Sequence, residues 1–163
     1  MKTLLLMRHA KSSWANESLS DHERPLNKRG IEAAGKMGRL LSDNELVPDL
    51  ILSSTSKRTK ETIQYFLDAC HFSGEVIFTR NLYHGGPEEI LESIHQWGEG
   101  FSRVMIVGHN PGISYALEDF TGERERMVTA AIAQIVFEGE KWEGILENLS
   151  GNLVNFWIPR EID

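Results

Sequence analysis

The chain has 163 residues and a formal net charge of −7, from 17 Lys and Arg against 24 Asp and Glu. Without a block of basic residues, this charge disfavours a general binder of nucleic acid or of membrane surfaces. The one cysteine, Cys70, cannot form an internal disulfide, and no cluster of Cys and His predicts a metal site. The apolar run Leu4–Met7 is too short for a signal peptide or for the roughly 20 residues of a membrane span. We therefore expect one cytoplasmic domain over residues 1–163, with no metal and no cofactor.

The first half of the chain alternates apolar runs with amphipathic stretches. Strands are predicted at Thr3–Met7, Asp49–Leu52 and, on a weaker composition, Glu75–Thr79. Helices are predicted at Lys28–Ser42 and Lys57–His71, where apolar residues recur at helical spacing. The first two strands are continuously apolar rather than alternating, which is typical of strands buried on both faces of a parallel sheet.

The second half continues the alternation. One helix is predicted from Pro87, and another after Asn110 and Pro111, which fit an N-cap and a first-turn proline. A polar loop around Gly139 is expected to separate the last two strands. The strands of this half are predicted at Val104–Val107, Ala131–Phe137 and Leu153–Ile158. Strands that alternate with helices in this way predict an α/β fold with a mainly parallel sheet.

Polar residues follow several of the predicted strands directly. Arg8 and His9 end the first strand, Ser54 follows the second, and His109 follows the strand that ends at Val107. Arg58 falls in the first turn of the helix after the second strand. Because ligands bind outside the carboxyl ends of parallel strands, we expect these side chains to converge at one edge of the sheet.

This set of side chains suits a phosphoryl group. The guanidinium groups of Arg8 and Arg58 match phosphate oxygens, and a neutral imidazole such as that of His9 can attack phosphorus to form a phosphoenzyme. Taken singly, an Arg-His pair or an arginine on a helix is usually a solvated surface feature. Their convergence at the ends of three strands favours a functional site.

The residues resemble the histidine phosphatase superfamily, which includes the cofactor-dependent phosphoglycerate mutases. The matching elements are Arg8-His9-Ala10, then Ser54, Arg58, Thr59 and Thr62, then Gly108-His109, and the Leu-x-x-x-Gly element Leu26–Gly30. The resemblance implies a three-layer α/β/α sandwich of the phosphoglycerate mutase type. It also implies that His9 is the nucleophile and that Arg8, Arg58 and His109 hold the phosphoryl oxygens.

Within this superfamily the sequence is most similar to the SixA-type phosphohistidine phosphatases, which are short and lack the insertions of the mutases. The elements that carry this likeness are Arg24-Pro25-Leu26, Ser12-Ser13-Trp14 and the segment Thr129–Ala133. The likeness implies that Arg24 lines the phosphate pocket. A surface ion pair of Arg24 with Asp21 or Glu23 is the alternative. The remaining loop histidine, His22, is expected to face solvent.

Two departures from the family pattern bear on the chemistry. Ala10 replaces the usual glycine, which is acceptable if the backbone there is not at positive φ. The glutamate acid that mutases carry ahead of the third helix is missing, and only His84, Glu88 or Glu89 could replace it. An alkoxide leaving group needs a proton from such an acid, whereas the imidazole of a phosphohistidine does not.

We therefore expect a metal-free phosphatase that hydrolyses phosphohistidine on a protein, such as a phosphotransfer domain, through phospho-His9. We expect His109 to be protonated and to stabilise charge on the transferring oxygens with Arg8 and Arg58. A phosphatase for small phosphomonoesters is the first alternative, and a catalytically silent phosphoprotein-binding module is the second. A mutase is the third, although the chain lacks the length for substrate-enclosing insertions. In each case the expected partner is a phosphorylated protein or small molecule, and not nucleic acid or a membrane.

Overall fold

A computed structural model describes residues 1–162 of the protein. The strands are β1 (Lys2–Arg8), β2 (Leu50–Ser53), β3 (Glu75–Phe78), β4 (Arg103–Gly108), β5 (Ile132–Phe137) and β6 (Asn152–Trp157). The helices are α1 (Lys28–Asp43), α2 (Lys57–Asp68), α3 (Pro87–Trp97), α4 (Gly112–Thr121) and α5 (Trp142–Glu147). Within residues 1–162, no helix has the length and apolar character needed to cross a membrane.

The six strands form one sheet in the order β3-β2-β4-β1-β5-β6. The strands β3, β2, β4 and β1 run parallel, and β5 and β6 extend the sheet with antiparallel pairs. The predicted α/β fold with a mainly parallel sheet is confirmed. The predicted elements are present with ends shifted by a residue or so, except that α2 ends at Asp68 rather than His71.

The sheet is buried on both faces, which explains the continuous apolar run of β1. Leu4 and Leu6 pack in one core with α3, α4 and α5, whereas Leu5 and Met7 pack in a second core with α1 and α2. Successive side chains of a strand point to opposite faces, so a strand between two helical layers needs apolar residues at every position. The protein therefore has the three layers that the resemblance implied.

The register of the sheet brings the polar strand ends together. Arg8 is aligned with Gly108 across the β1–β4 pair, and Ser53 is aligned with Val107 across the β2–β4 pair. The His9 amide extends the first pairing by donating to the Gly108 carbonyl at 3.0 Å. Residues that follow these three strands consequently meet at the same edge of the sheet.

A glycine sets how closely α1 approaches the segment after β1. Gly30, in the first turn of α1, lies directly against the main chain of Lys11, and a Cβ at Gly30 would clash with the Lys11 carbonyl oxygen. That carbonyl accepts the Asn27 amide at 3.0 Å, and the Asn27 side chain caps the helix by accepting the Gly30 amide at 2.9 Å. The glycine of the Leu26–Gly30 element therefore allows α1 to begin beside the edge of the sheet at which β1, β2 and β4 end.

Two local features differ from the sequence prediction. The helix α4 begins at Gly112, with Pro111 at the cap position, because the Asn110 amide group donates to the Met127 carbonyl at 2.9 Å instead of capping the helix. The helix α5 was not predicted, since it has only six residues in a polar stretch. It is anchored by the buried Trp142, whose indole donates to the Phe101 carbonyl at 2.8 Å.

We predict that Gly30→Ala lowers the free energy of unfolding by about 2–3 kcal/mol, because the new methyl group must displace the Lys11 main chain. The matched control is Gly144→Ala in α5, where a Cβ meets no atom within 4 Å. The control should raise the stability by up to about 1 kcal/mol through helix propensity. Urea denaturation followed by circular dichroism measures both, and equal midpoints for the two variants would contradict the close approach.

Candidate active site

A cavity of about 520 Å³ lies at the carboxyl edge of the sheet, and we call it the catalytic pocket. It is lined by all five residues that the sequence analysis proposed, namely Arg8, His9, Arg24, Arg58 and His109. The ring centroids of His9 and His109 are 5.1 Å apart. The two histidines lie close because they follow the neighbouring parallel strands β1 and β4.

The imidazole of His9 is held in one tautomer by the main chain. The distance from its Nδ1 atom to the Ala10 carbonyl oxygen is 2.7 Å. A carbonyl oxygen can only accept, so Nδ1 carries the proton and Nε2 keeps its lone pair. Burial, together with the nearby cations of Arg58 and Arg8, lowers the pKa of His9 to about 4 against the opposing effect of the hydrogen bond to Ala10. His9 is therefore a neutral imidazole with a free nitrogen at physiological pH.

The main chain around His9 is fixed from two sides. The Ala10 amide donates to Thr62 Oγ1 at 3.0 Å, and the Thr62 hydroxyl donates to the Arg58 carbonyl at 2.7 Å. The Ala130 amide donates to the carbonyls of Arg8 and His9, and Ala130 reaches them with a φ of 64°. Ala10 itself is not among the residues at positive φ, so alanine replaces the family's glycine there without strain.

His109 is neutral in the free pocket, contrary to the expectation that it is protonated. Arg58 Nη2 lies 3.2 Å from His109 Nδ1 and can only donate, so Nδ1 accepts and Nε2–H donates to Ser54 Oγ at 2.8 Å. Burial is the main cause that lowers the pKa of His109 to about 3; His9, Arg58 and His84 also lower it, and Asp21 opposes them.

Asp21 is a pocket residue that the sequence analysis treated only as a surface ion-pair partner. Its Oδ2 atom accepts from Arg58 Nη2 at 3.0 Å and from the Tyr83 hydroxyl at 2.6 Å, and its carbonyl accepts from Arg58 Nη1 at 2.7 Å. The hydrogen bond from Tyr83, followed by those from Arg58 and Arg24, holds the pKa of Asp21 well below its usual range. The carboxylate is thus ionised and orients the Arg58 guanidinium.

Arg24 lines the catalytic pocket and also pairs with Asp21. Its side chain is buried and lines the catalytic pocket, and its Nη1 atom pairs with Asp21 Oδ1 at 3.0 Å. Arg24 also donates to Ser12 and Ser13, and its guanidinium carbon lies 3.3 Å from the ring centroid of Trp14. The pair with Asp21 is therefore part of the pocket wall rather than a surface feature.

The expectation that His22 faces solvent is wrong. Its Nε2 atom lies 2.8 Å from Thr55 Oγ1, its Nδ1 atom lies 3.2 Å from a Glu23 carboxylate oxygen, and its ring contacts the Tyr83 ring edge-on. His22 thereby supports Tyr83, which in turn holds Asp21. The sequence carried a weak signal for this cluster, since Asp21 and His22 lie three and two residues before Arg24 of the Arg24-Pro25-Leu26 element.

The three candidates for a general acid differ in whether their side chains reach the catalytic pocket. His84 lines the catalytic pocket, and its ring centroid lies 3.9 Å from that of Tyr83. Glu88 is exposed and outside the residues that line the pocket. Glu89 accepts the Gly86 amide at 3.0 Å and so caps the start of α3. Of the three, only His84 reaches the site.

The polar groups of the pocket suit an anion. Among residues 1–162, no group of three or more His, Cys, Asp or Glu side chains is arranged to hold a metal ion. Arginines and imidazoles converge instead, and Asp21 is the only carboxylate among residues 1–162 that lines the catalytic pocket. Guanidinium groups and imidazoles are the donors that bind phosphoryl oxygens. Fold and pocket together define an enzyme of the class that acts on phosphorylated substrates.

Comparisons with known proteins agree with this class. Residues 4–83 match the histidine phosphatase superfamily (branch 1). An uncharacterized chloroplastic protein of Arabidopsis thaliana is 33% identical over 151 residues, which are 87% of this chain and 69% of the relative. An uncharacterized protein of Mycobacterium tuberculosis is 31% identical over 166 residues, which are 94% of this chain and 100% of the relative.

Among solved structures, a candidate phosphohistidine phosphatase SixA from Agrobacterium tumefaciens is similar, with a TM-score of 0.83 and 28% identity over 97% of this chain and 98% of the other. The chain belongs to the histidine phosphatase superfamily. It is accordingly a histidine-dependent enzyme of the phosphatase and mutase type, similar to SixA, with phosphorylated substrates. These predictions from the sequence are confirmed.

We predict that the His9 ring titrates near pH 4 in the folded free enzyme, below the ordinary value of 6.5. The neutral form of His9 is therefore present above about pH 4 and is lost as the pH falls through that value. Two-dimensional NMR of the imidazole nitrogens measures the midpoint. Arg58→Ala removes a cation that lowers the pKa of both His9 and His109, so both midpoints should rise. The exposed Arg39→Ala is the control, and a wild-type midpoint near 6.5 would contradict the assignment.

Proposed function

We propose that this enzyme hydrolyses phosphohistidine carried on a protein, through a covalent phospho-His9 intermediate. The observation that carries the proposal is the state of His9: a buried, neutral imidazole with its Nδ1 proton donated to the Ala10 carbonyl. That hydrogen bond aligns the ring and leaves Nε2 free, so no base is needed to activate the nucleophile. The similarity to a candidate phosphohistidine phosphatase, at 28% identity over nearly the whole chain, supports the same substrate class.

The first step forms the phosphoenzyme. The lone pair of His9 Nε2 attacks phosphorus, the new P–N bond forms, and the bond to the substrate imidazole breaks in line with it. The leaving imidazole takes the bonding electron pair. Arg8, Arg58 and His109, which takes up a proton on Nδ1 once the phosphoryl dianion is bound, bind the three transferring oxygens and stabilise their charge. Arg8 has N–H groups available for phosphoryl oxygens. Within residues 1–162 it donates only to the Met127 carbonyl, at 3.2 Å, and its buried Nε has no partner.

The second step regenerates the enzyme. Water attacks the phosphorus of phospho-His9, the P–N bond breaks, and its electron pair returns to Nε2. Inorganic phosphate leaves with the oxygen from water. The proton stays on His9 Nδ1, which donates it in a hydrogen bond to the Ala10 carbonyl through both steps, so the ring keeps its orientation without any further proton transfer.

The lack of a carboxylic acid donor in the pocket favours phosphohistidine over phosphate esters. Asp21 is ionised, Glu88 is outside the pocket lining, and Glu89 is bound to the start of α3. An alkoxide therefore leaves without a carboxylic acid to protonate it, whereas an imidazole protonated on its other nitrogen leaves as a neutral molecule. The exposed Trp14 beside Arg24 gives the pocket mouth an apolar surface that suits a protein substrate.

One observation favours the alternative of small phosphomonoesters. The ring of His84 lines the catalytic pocket, and an imidazolium there could protonate an alkoxide. The two functions differ in how the rate depends on the leaving group, which separates them experimentally.

We predict that the wild-type enzyme becomes labelled from a phosphohistidine peptide carrying radioactive phosphorus, and that the label is acid-labile and alkali-stable. His9→Ala should show no label and lose turnover by at least roughly 10³-fold, because the covalent route is removed. The exposed His95→Ala is the matched control and should label normally. Circular dichroism checks that the variants are folded, and a folded His9→Ala enzyme with near wild-type turnover would exclude His9 as the nucleophile.

We predict that the rate falls steeply as the leaving-group pKa rises across a series of phosphomonoesters, because an unassisted oxygen must leave with full negative charge. Aryl phosphates should react well and sugar phosphates poorly. The series is measured on the wild type, on His84→Ala and on the control Glu88→Gln, which lies outside the pocket lining. A flat dependence in the wild type that turns steep only in His84→Ala would assign the acid to His84 and support phosphomonoesters instead.

A further inference from the structure

A second cavity, of about 540 Å³, adjoins the catalytic pocket. Lys11 and Thr129 line both cavities, so the second begins where the first ends. Its other walls come from the first half of α1 and from the turn that follows β6. We call it the basic cleft, and its defining residues are Lys11, Arg29, Lys36, Thr129, Ile158 and Arg160.

The charge of this cleft is opposite to that of the whole protein. Four cationic side chains line it with one carboxylate, that of Glu32, whereas the chain carries a formal net charge of −7. Lys11, Arg29 and Arg160 are exposed, and none of them forms an ion pair within residues 1–162. Their charges are therefore available to an anionic partner.

The fold does not benefit from the position of these charges. Lys28 and Arg29 occupy the first turn of α1, which contains no acidic residue. Cations at a helix N-terminus are repelled by the helix dipole. Lys11 is a third cation beside the same turn, because its main chain is in close contact with Gly30. Since this arrangement opposes helix stability, the cations of the cleft are better explained by binding than by folding.

The walls of the cleft are ordered and partly apolar. Lys36 is engaged within the fold, because its ammonium group donates to the carbonyls of Pro159 at 3.3 Å and Ile162 at 2.9 Å. This fixes the turn after β6 against α1. Ala33, Val128 and Ile158 supply apolar lining between the cations. A small phosphate needs no such surface, whereas a protein segment with apolar and acidic side chains uses both.

We propose that the basic cleft docks an acidic segment of the phosphorylated protein while its phosphohistidine occupies the catalytic pocket. The inference rests on the proposed function, since it assigns the substrate a protein surface next to the reacting group. The shared lining at Lys11 and Thr129 places this segment within a few residues of the phosphohistidine or on an adjoining surface. Charge complementarity there contributes to substrate affinity and leaves the chemical step unchanged.

The test compares two phosphohistidine peptides of equal length, one flanked by Asp and Glu and the other by Asn and Gln. The enzyme variant is the double substitution Arg29→Glu and Arg160→Glu, and para-nitrophenyl phosphate reports the basal activity. We expect the variant to raise KM for the acidic peptide by about tenfold or more with little change in kcat. KM for the neutral peptide and for the aryl phosphate should change less than about twofold.

The control is Lys141→Glu, an exposed residue beyond the end of β5, at the opposite edge of the sheet from His9. It carries the same change of charge per site and should leave all three values of KM as in the wild type. Equal effects on both peptides, or a raised KM for the aryl phosphate, would overturn the docking role. A raised KM for fructose 1,6-bisphosphate with the acidic peptide unaffected would assign the cleft to a small substrate and also overturn it.

The same assays separate the inference from the proposed function. If both peptides are hydrolysed with equal KM by the wild type, the docking role fails and the phosphohistidine activity stands. If neither peptide is hydrolysed while the aryl phosphate is, the proposed function fails and the docking role fails with it.

Discussion

The catalytic pocket depends on one interaction, the pairing of the Asp21 carboxylate with the guanidinium groups of Arg58 and Arg24. This pairing fixes the buried guanidinium groups of Arg24 and Arg58 in a pocket whose polar groups suit an anion. One carboxylate does not neutralise the pocket, because Arg8 and Lys11 also line it. The remaining positive charge lowers the pKa of the buried imidazole of His9 and attracts a phosphoryl dianion. A single arrangement of charge thus prepares both the nucleophile and the binding site.

The geometry of His9, the proposed nucleophile, is set by the main chain more than by other side chains. The Ala10 carbonyl selects the tautomer of His9, and the Ala10 amide is itself bound to Thr62 on α2. From the other side, the Ala130 amide binds the carbonyls that flank the His9 position. The orientation of His9 therefore follows from the packing of β1 against α2 and against the segment before β5. His9 is thereby preorganised, because its orientation depends on main-chain contacts within the fold.

The sequence predicted those residues of the candidate site that stand at the end of a regular secondary-structure element or directly after it. Arg8, His9 and His109 could be predicted because continuous apolar runs locate buried strands, and parallel strands place their carboxyl ends together. Asp21 could not, since its loop has no periodicity and its partner Tyr83 is 62 residues away. Which of the three acid candidates reaches the pocket could not be predicted from the sequence either. It depends on how α3 begins, where Glu89 folds back on Gly86.

The protonation of His109 is best understood as a property of the complex and not of the free enzyme. In the free pocket, burial and the cations around it keep the imidazole neutral, with Nδ1 accepting from Arg58. A phosphoryl dianion reverses the sign of the local field and competes for the Arg58 donors. Both changes favour a proton on His109 Nδ1, which can then donate to a phosphoryl oxygen while Nε2 stays bound to Ser54. In the proposed mechanism, substrate binding is thereby coupled to proton uptake at the position where transition-state charge develops.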